Sequence, residues 1–185
     1  MKKLIGSLLM SCAVLSASAQ ESKGQTLETD PGLLTLRGEV RIDYQRDWQD
    51  SHVVKDNTGF EGKYVNIRID GRIAEGLTYS WRQRLNKHHG DASFFDATDW
   101  VYLDYRLGAW SFSGGKQIVA IGGWEYERAP IDLYGCSVFW NNIPCYEIGA
   151  SVAWHPTGRD KLMFQVCESP FFTSDNRDMY SYNLF

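Results

Sequence analysis

Past an apolar run at the N-terminus, Leu4–Leu15, the chain lacks any uncharged stretch of the roughly 18 residues that a membrane-crossing helix needs. A helical membrane protein is thereby excluded. The run itself is too short to span. It follows Met1-Lys2-Lys3 and precedes Ala17-Ser18-Ala19 and Gln20, the basic start, apolar middle and small-residue cleavage site of a secretory signal peptide over residues 1–19. A competing reading, lipid attachment at Cys12 within Leu9-Met10-Ser11-Cys12, is disfavoured because the apolar run continues past Cys12 and the cleavage site lies downstream. Basic clusters are missing as well. The formal charge is −4, and loss of a leader that carries Lys2 and Lys3 but no acid makes the remainder more acidic. That argues against a nucleic-acid binder, which needs basic patches. Cysteine is sparse: once Cys12 leaves with the leader, Cys136, Cys145 and Cys167 remain. A Cys136–Cys145 bridge is permissible in an oxidising periplasm, and three free thiols are an equal alternative. No nucleophile elbow, phosphate-cradling glycine loop, zinc motif or solenoid repeat occurs, and no cofactor is expected.

What the chain has instead is alternation. In residues 34–48, LTLRGEVRIDYQRDW, Leu34, Leu36, Gly38, Val40, Ile42 and Tyr44 share one parity, while Thr35, Arg37, Glu39, Arg41, Asp43, Gln45 and Asp47 share the other. Side chains of a strand point alternately to opposite faces, so this is a ribbon with one oily and one charged side. It exceeds the usual strand of about 5–6 residues and suffices for the roughly 9–11 tilted residues that cross a bilayer. After a polar leader at 20–33, the pattern recurs at 62–73, 77–86, 99–107, from 110, at 145–154 and 161–167, with a last segment at 180–185. Gly114-Gly115 marks a bend or bulge.

Polar loops are expected at 49–59, 86–96, 118–144 and 169–177, and tight turns at 74–76, 108–109 and 155–160. Long and short connections thus alternate, as in outer-membrane barrels, whose short turns face the periplasm. Outward-parity aromatics fall where an interfacial girdle belongs: Trp48 and Tyr146 at the outer ends, Tyr105, Trp110 and Trp154 at the periplasmic ends. The negative mean hydropathy is no objection, because such a barrel presents only half of each strand to lipid. The fold expected is therefore all-β, an antiparallel transmembrane β-barrel over 34–185, incomplete in this chain at about 7–8 strands. The alternative is a secreted or surface β-sandwich that binds carbohydrate through its aromatic residues.

With the polar parity assigned to the lumen, the pore-lining cations are Arg37, Arg41, Arg68, Arg72, Arg82, Arg84, Arg106 and Lys161. The acids there are Glu39, Asp43, Asp47, Asp70, Asp104 and Glu147, leaving the wall slightly cationic. Basic rings draw anions and phosphate into a pore, and arginine offers a fork suited to phosphate oxygens; cross-strand neutralisation of opposite charges is the competing use. The long connection after the 110 segment carries Trp124, Glu125, Tyr126, Glu127 and Arg128, the mixture a constriction loop requires. Two carboxylates two residues apart in a loop say nothing about catalytic geometry, so no enzyme is read from them. His88-His89 lacks a third metal ligand and reads as a solvated loop pair.

The stretches LRGEVRIDYQRDW, WVYLDYRLGAWSFSGGKQ and GGWEYERAPIDLYG resemble the N-terminal portion of porins of the phosphate-selective porin O and P family, of the Bacteroidetes type, and the resemblance covers essentially all of the chain after the leader. It implies a passive outer-membrane diffusion channel for small hydrophilic or anionic solutes, trimeric when full-length, with Arg82, Arg84, Arg106 and Lys116 at positions able to line it. A phosphate-contacting lysine cluster is not matched residue by residue. Such porins have about 16 strands, and the final strand here stops with Phe185 on the polar parity, which implies a truncated barrel whose edges lack partners.

Overall fold

The structure, a computed structural model, describes residues 32–86, 93–121, 137–138, 142–171 and 178–185, together with the backbone of 6–12; for 56–57 also only the backbone is described. The strands are β1 (Gly6–Cys12), β2 (Thr35–Gln49), β3 (His52–Ala74), β4 (Leu77–Arg84), β5 (Thr98–Leu107), β6 (Trp110–Ile118), β7 (Tyr146–Trp154), β8 (Leu162–Glu168) and β9 (Tyr180–Leu184). They form one antiparallel sheet in which every strand pairs with its neighbours in sequence. The sheet is open, with β1 and β9 at its edges. No second sheet packs against it among the described residues, so the two-layer sandwich is not formed.

Burial runs opposite to that of a water-soluble protein. Leu36, Val40, Ile42, Ile73, Val101, Leu103, Leu107, Phe112, Ile148, Leu162 and Phe164 are exposed, whereas Asp43, Asn66, Ser80, Arg82, Gln117, Glu147 and Gln165 are buried. The cause is the alternation itself. The sheet curls toward its polar parity, so polar side chains shield one another on the concave face and the apolar parity is left outside. An uncovered apolar surface of this extent marks a membrane or protein contact. At the short-turn end Trp110 and Trp154 lie opposite each other in register with their rings stacked at 6.3 Å. Tyr146, expected in the opposite girdle, instead packs its ring 5.8 Å from that of Trp100 on the concave side.

Two expectations of local geometry are corrected. Residues 49–59 are no loop: β2 and β3 continue into a long hairpin closed at Asp50 and Ser51, both with positive φ (50° and 65°). Such values suit the two-residue turns whose twist matches paired strands, and aspartate tolerates them through its short polar side chain. The hairpin therefore projects past β4, which pairs with β3 only as far as Asn66. Gly114-Gly115 makes no bulge, since β6 keeps its register with both neighbours; Gly115 (φ 132°) instead lets the backbone pass against Tyr102. The irregularity falls at the start of β5, where Arg82 pairs with Trp100 and Gln83 with Thr98, leaving Asp99 as an extra residue. Gly6–Cys12, within the expected leader, pairs as β1 with the edge of β2 from Ile42 to Trp48, an unpaired strand edge being a template for an apolar extended segment.

Candidate functional site

Register, rather than parity, assembles the site. Arg37 stands directly opposite Arg68, Arg68 opposite Arg82, and Arg82 opposite Trp100, forming a row across β2, β3, β4 and β5 on the concave face. Like charges set directly opposite destabilise a sheet. Each member of the row after Arg37 has its compensation. Arg68 Nε lies 2.7 Å from Asp70 Oδ2, and Arg82 Nε lies 2.7 Å from Asp99 Oδ2. The other oxygen of Asp99 is 2.8 Å from Arg84 Nε. The guanidiniums of Arg82 and Arg68 sit 4.5 and 5.3 Å from the Trp100 ring centre, and that of Arg84 5.7 Å from the Tyr64 ring. Cations over aromatic faces gain about 0.5–2 kcal/mol, more as they lose water. Trp100 Nε1 donates to Ser80 Oγ at 2.7 Å and Ser80 Oγ donates to Asp70 Oδ1 at 2.6 Å, so the indole is fixed by the same acid that holds Arg68.

Beneath this row, toward the short-turn end, the concave face holds a cavity of about 810 Å³. Arg37, Arg68, Arg72, Arg106 and Lys161 line it, with Asp70 and Asp104 as its acids. His155 also faces it, with Nε2 3.1 Å from Ser111 Oγ. Five of the eight cations expected to line a pore are thus brought together. Arg82 and Arg84 are set deeper, on Asp99. Arg41 lies away on the projecting hairpin, where it chelates Asp43 through Nε to Oδ1 at 2.9 Å and Nη2 to Oδ2 at 2.7 Å. Lys116 does not belong to this face: it is in register with Val101 and Ile148 on the apolar side, and its Nζ donates to the Phe95 carbonyl at 3.0 Å. The constriction-loop residues Trp124, Glu125, Tyr126, Glu127 and Arg128 lie outside the described residues, as do His88, His89 and Cys136.

Three residues that reasoning from the sequence missed carry much of the arrangement. Asp99 and Trp100 reach the same face because of the bulge, whereas strict alternation puts Asp99 with Val101 on the oily side. That placement was the available signal, since an unpaired carboxylate facing lipid is costly. Gln165, 1% exposed, accepts from Ala120 N at 2.7 Å and donates to the Ile118 carbonyl at 2.9 Å. Since β7 separates β6 from β8, these bonds bring the chain leaving β6 across the concave face of β7. No pattern in the sequence announces a contact between residues so far apart along the chain.

An array of guanidinium forks, hydroxyls and an amine around an open cavity is suited to holding oxyanions transiently. No curated protein and no solved structure gives a match. A family model described as phosphate-selective porin O and P matches residues 34–184, nearly all of the chain beyond the leader, and the chain belongs to that family.

Proposed function

We propose that this chain forms the wall of an outer-membrane diffusion channel for small hydrophilic solutes, with a modest preference for anions, phosphate among them. The observation that carries the proposal is the reversed burial: an uncovered apolar face beside a concave polar face that bears the Arg37–Arg68–Arg82 row and the basic cavity. Lipid covers the outside and the lumen occupies the inside of a closed barrel, of which the described sheet is one side. Strands of 7–10 residues from β4 to β8 agree with the tilted length that crosses hydrocarbon. The residues that line the lumen are Arg37, Arg68, Arg72, Arg106 and Lys161, with Arg82 and Arg84 forming a level half-neutralised by Asp99. The turn of Val119–Ala120 inward over β7 fits a connection that narrows the bore. Export follows removal of residues 1–19, and family resemblance favours trimers.

The test is fractionation followed by conductance. The protein should partition into outer membranes, migrate differently in detergent gels before and after boiling, and give steps of current in planar bilayers whose reversal potential in a salt gradient reports anion preference. A soluble protein without heat-modifiable migration would overturn the barrel, and a cation preference would overturn the role of the arginines.

A further inference from the structure

One carboxylate on the concave wall does a job that alternation alone would deny it. The bulge puts Thr98 on the opposite face from Asp99, buried, with its hydroxyl donating to Gln83 Oε1, and turns Asp99 inward beside Trp100. There each of its two oxygens meets a different arginine, Oδ2 at 2.7 Å from Arg82 Nε and Oδ1 at 2.8 Å from Arg84 Nε. Asp99 is 2% and Arg82 4% exposed, so the carboxylate is enclosed between the two guanidiniums. The arginines do not depend on it alone for their positions. Arg82 is stacked on Trp100 and Arg84 on Tyr64, and Trp100 is anchored through Ser80 to Asp70. Two positioned guanidiniums with one oxygen of a bridging acid each describe an oxyanion site whose occupant is tethered to the chain.

We propose that Asp99 is an internal counter-anion: it fills the oxyanion site formed by Arg82 and Arg84, and by competing with solute anions it keeps their stay at this level short. For its consequence in transport the proposal rests on the channel reading; for the site itself it does not. The physical reason is the balance every selective pore must strike. A site must attract a solute enough to admit it and hold it weakly enough to release it. Arg82, Arg84 and nearby Arg68 without an acid would bind a multivalent oxyanion tightly. With Asp99 in place the Arg82–Arg84 pair keeps one net positive charge, and Arg68 has its own acid in Asp70. The open cations of the cavity below, at Arg37 and Lys161, then attract the anion, while the level above, left with a single net positive charge, passes it on.

The experiment uses the whole protein, refolded in detergent, as wild type, Asp99→Ala, Asp99→Asn and the double variant Asp99→Ala/Arg82→Gln. Thermal stability is followed while inorganic phosphate is added at constant ionic strength, with chloride as the balancing salt. Asp99→Ala should melt lower than wild type and recover saturably with phosphate but not with chloride; wild type should not respond, and the double variant should lose the recovery. Should Asp99→Ala fail to fold, Asp99→Asn, which keeps the shape and drops the charge, carries the same test. In planar bilayers phosphate should then inhibit the chloride current of the folded variant at about tenfold lower concentration than in wild type, the equivalent of about 1.4 kcal/mol. A variant that phosphate stabilises no more than wild type overturns the oxyanion site. Recovery by phosphate with wild-type inhibition of current overturns the competition and leaves the site. Recovery by phosphate in a protein that never conducts supports the site and overturns the channel reading instead.

Discussion

Arg37, Arg68 and Arg82 face one another on successive strands, an arrangement a sheet tolerates only when something offsets the repulsion. Asp70 and Asp99 offset the inner two. Arg37 and the exposed Lys161 remain at the rim of the cavity, where water screens them without cancelling their charge. Two unit charges 4 Å apart in bulk water interact by about 1 kcal/mol. Reversing the charge at Lys161 (Lys161→Glu) should therefore lower the anion-to-cation permeability ratio roughly threefold, about 0.6 kcal/mol, as read from reversal potentials in a salt gradient. The effect should fade in molar salt, where the screening length contracts to about 3 Å. An unchanged ratio at low salt would remove Lys161 from the conduction path. Packing on the same face is less forgiving. At Gly149 an added Cβ would lie 2.7 Å from Cys167 Cα, a backbone atom that cannot step aside. Gly149→Ala should lower stability by about 1–3 kcal/mol, the usual cost of overfilling, seen as an earlier loss of the compact form when detergent samples are heated. A variant as stable as wild type would mean β7 and β8 are free to part there.

The β2–β3 hairpin shows where alternation is readable and where it fails. The eight segments expected from period-two patterning all appear, as β2 to β9, because one residue's parity is settled by its own neighbours. The Asp, Ser, Asn and Gly of the tip, residues depleted in strands, predict a loop there. Pairing with β2 overrides that preference once Asp50 and Ser51 take the left-handed conformation that closes the turn. For a serine this conformation costs about 1–2 kcal/mol that glycine is spared. Ser51→Gly should thus stabilise the hairpin by about 1 kcal/mol, detected as slower hydrogen exchange at the Gln49 and His52 amides, the hydrogen-bonded pair that flanks the turn; faster exchange would show that the serine side chain contributes more than its backbone costs. The site was legible only in outline for a related reason. Parity names Arg37, Arg68 and Arg82 as residents of one face, yet a slip of two residues would preserve parity and separate them. Their alignment comes from register, which the hairpin turns and bulges determine. Asp99 was hidden by one such bulge, and Gln165 by a contact that spans β7.

For the molecule as a whole the decisive question is what medium lies against Leu103 and its neighbours. Leu103 sits in the middle of β5 on the apolar face, 49% exposed, in register with Tyr79 and Gly114. Ser113 sits on the opposite face of the adjoining strand, in register with Asp104 and Ser151. If the outer medium were water, an arginine at an already exposed Leu103 would change stability by no more than about 0.5 kcal/mol. If it is hydrocarbon, the same arginine costs about 2–4 kcal/mol near the midplane, whereas one facing the lumen is tolerated. Leu103→Arg should accordingly reduce the fraction that refolds into lipid vesicles and acquires heat-modifiable migration. Ser113→Arg, opposite an aspartate in a polar lining, should refold as wild type does. The pair also controls for the bulk of the new side chain, since both variants gain one arginine on neighbouring strands at similar depth. The reverse ranking would place water outside and the core within, and the channel reading could not survive it.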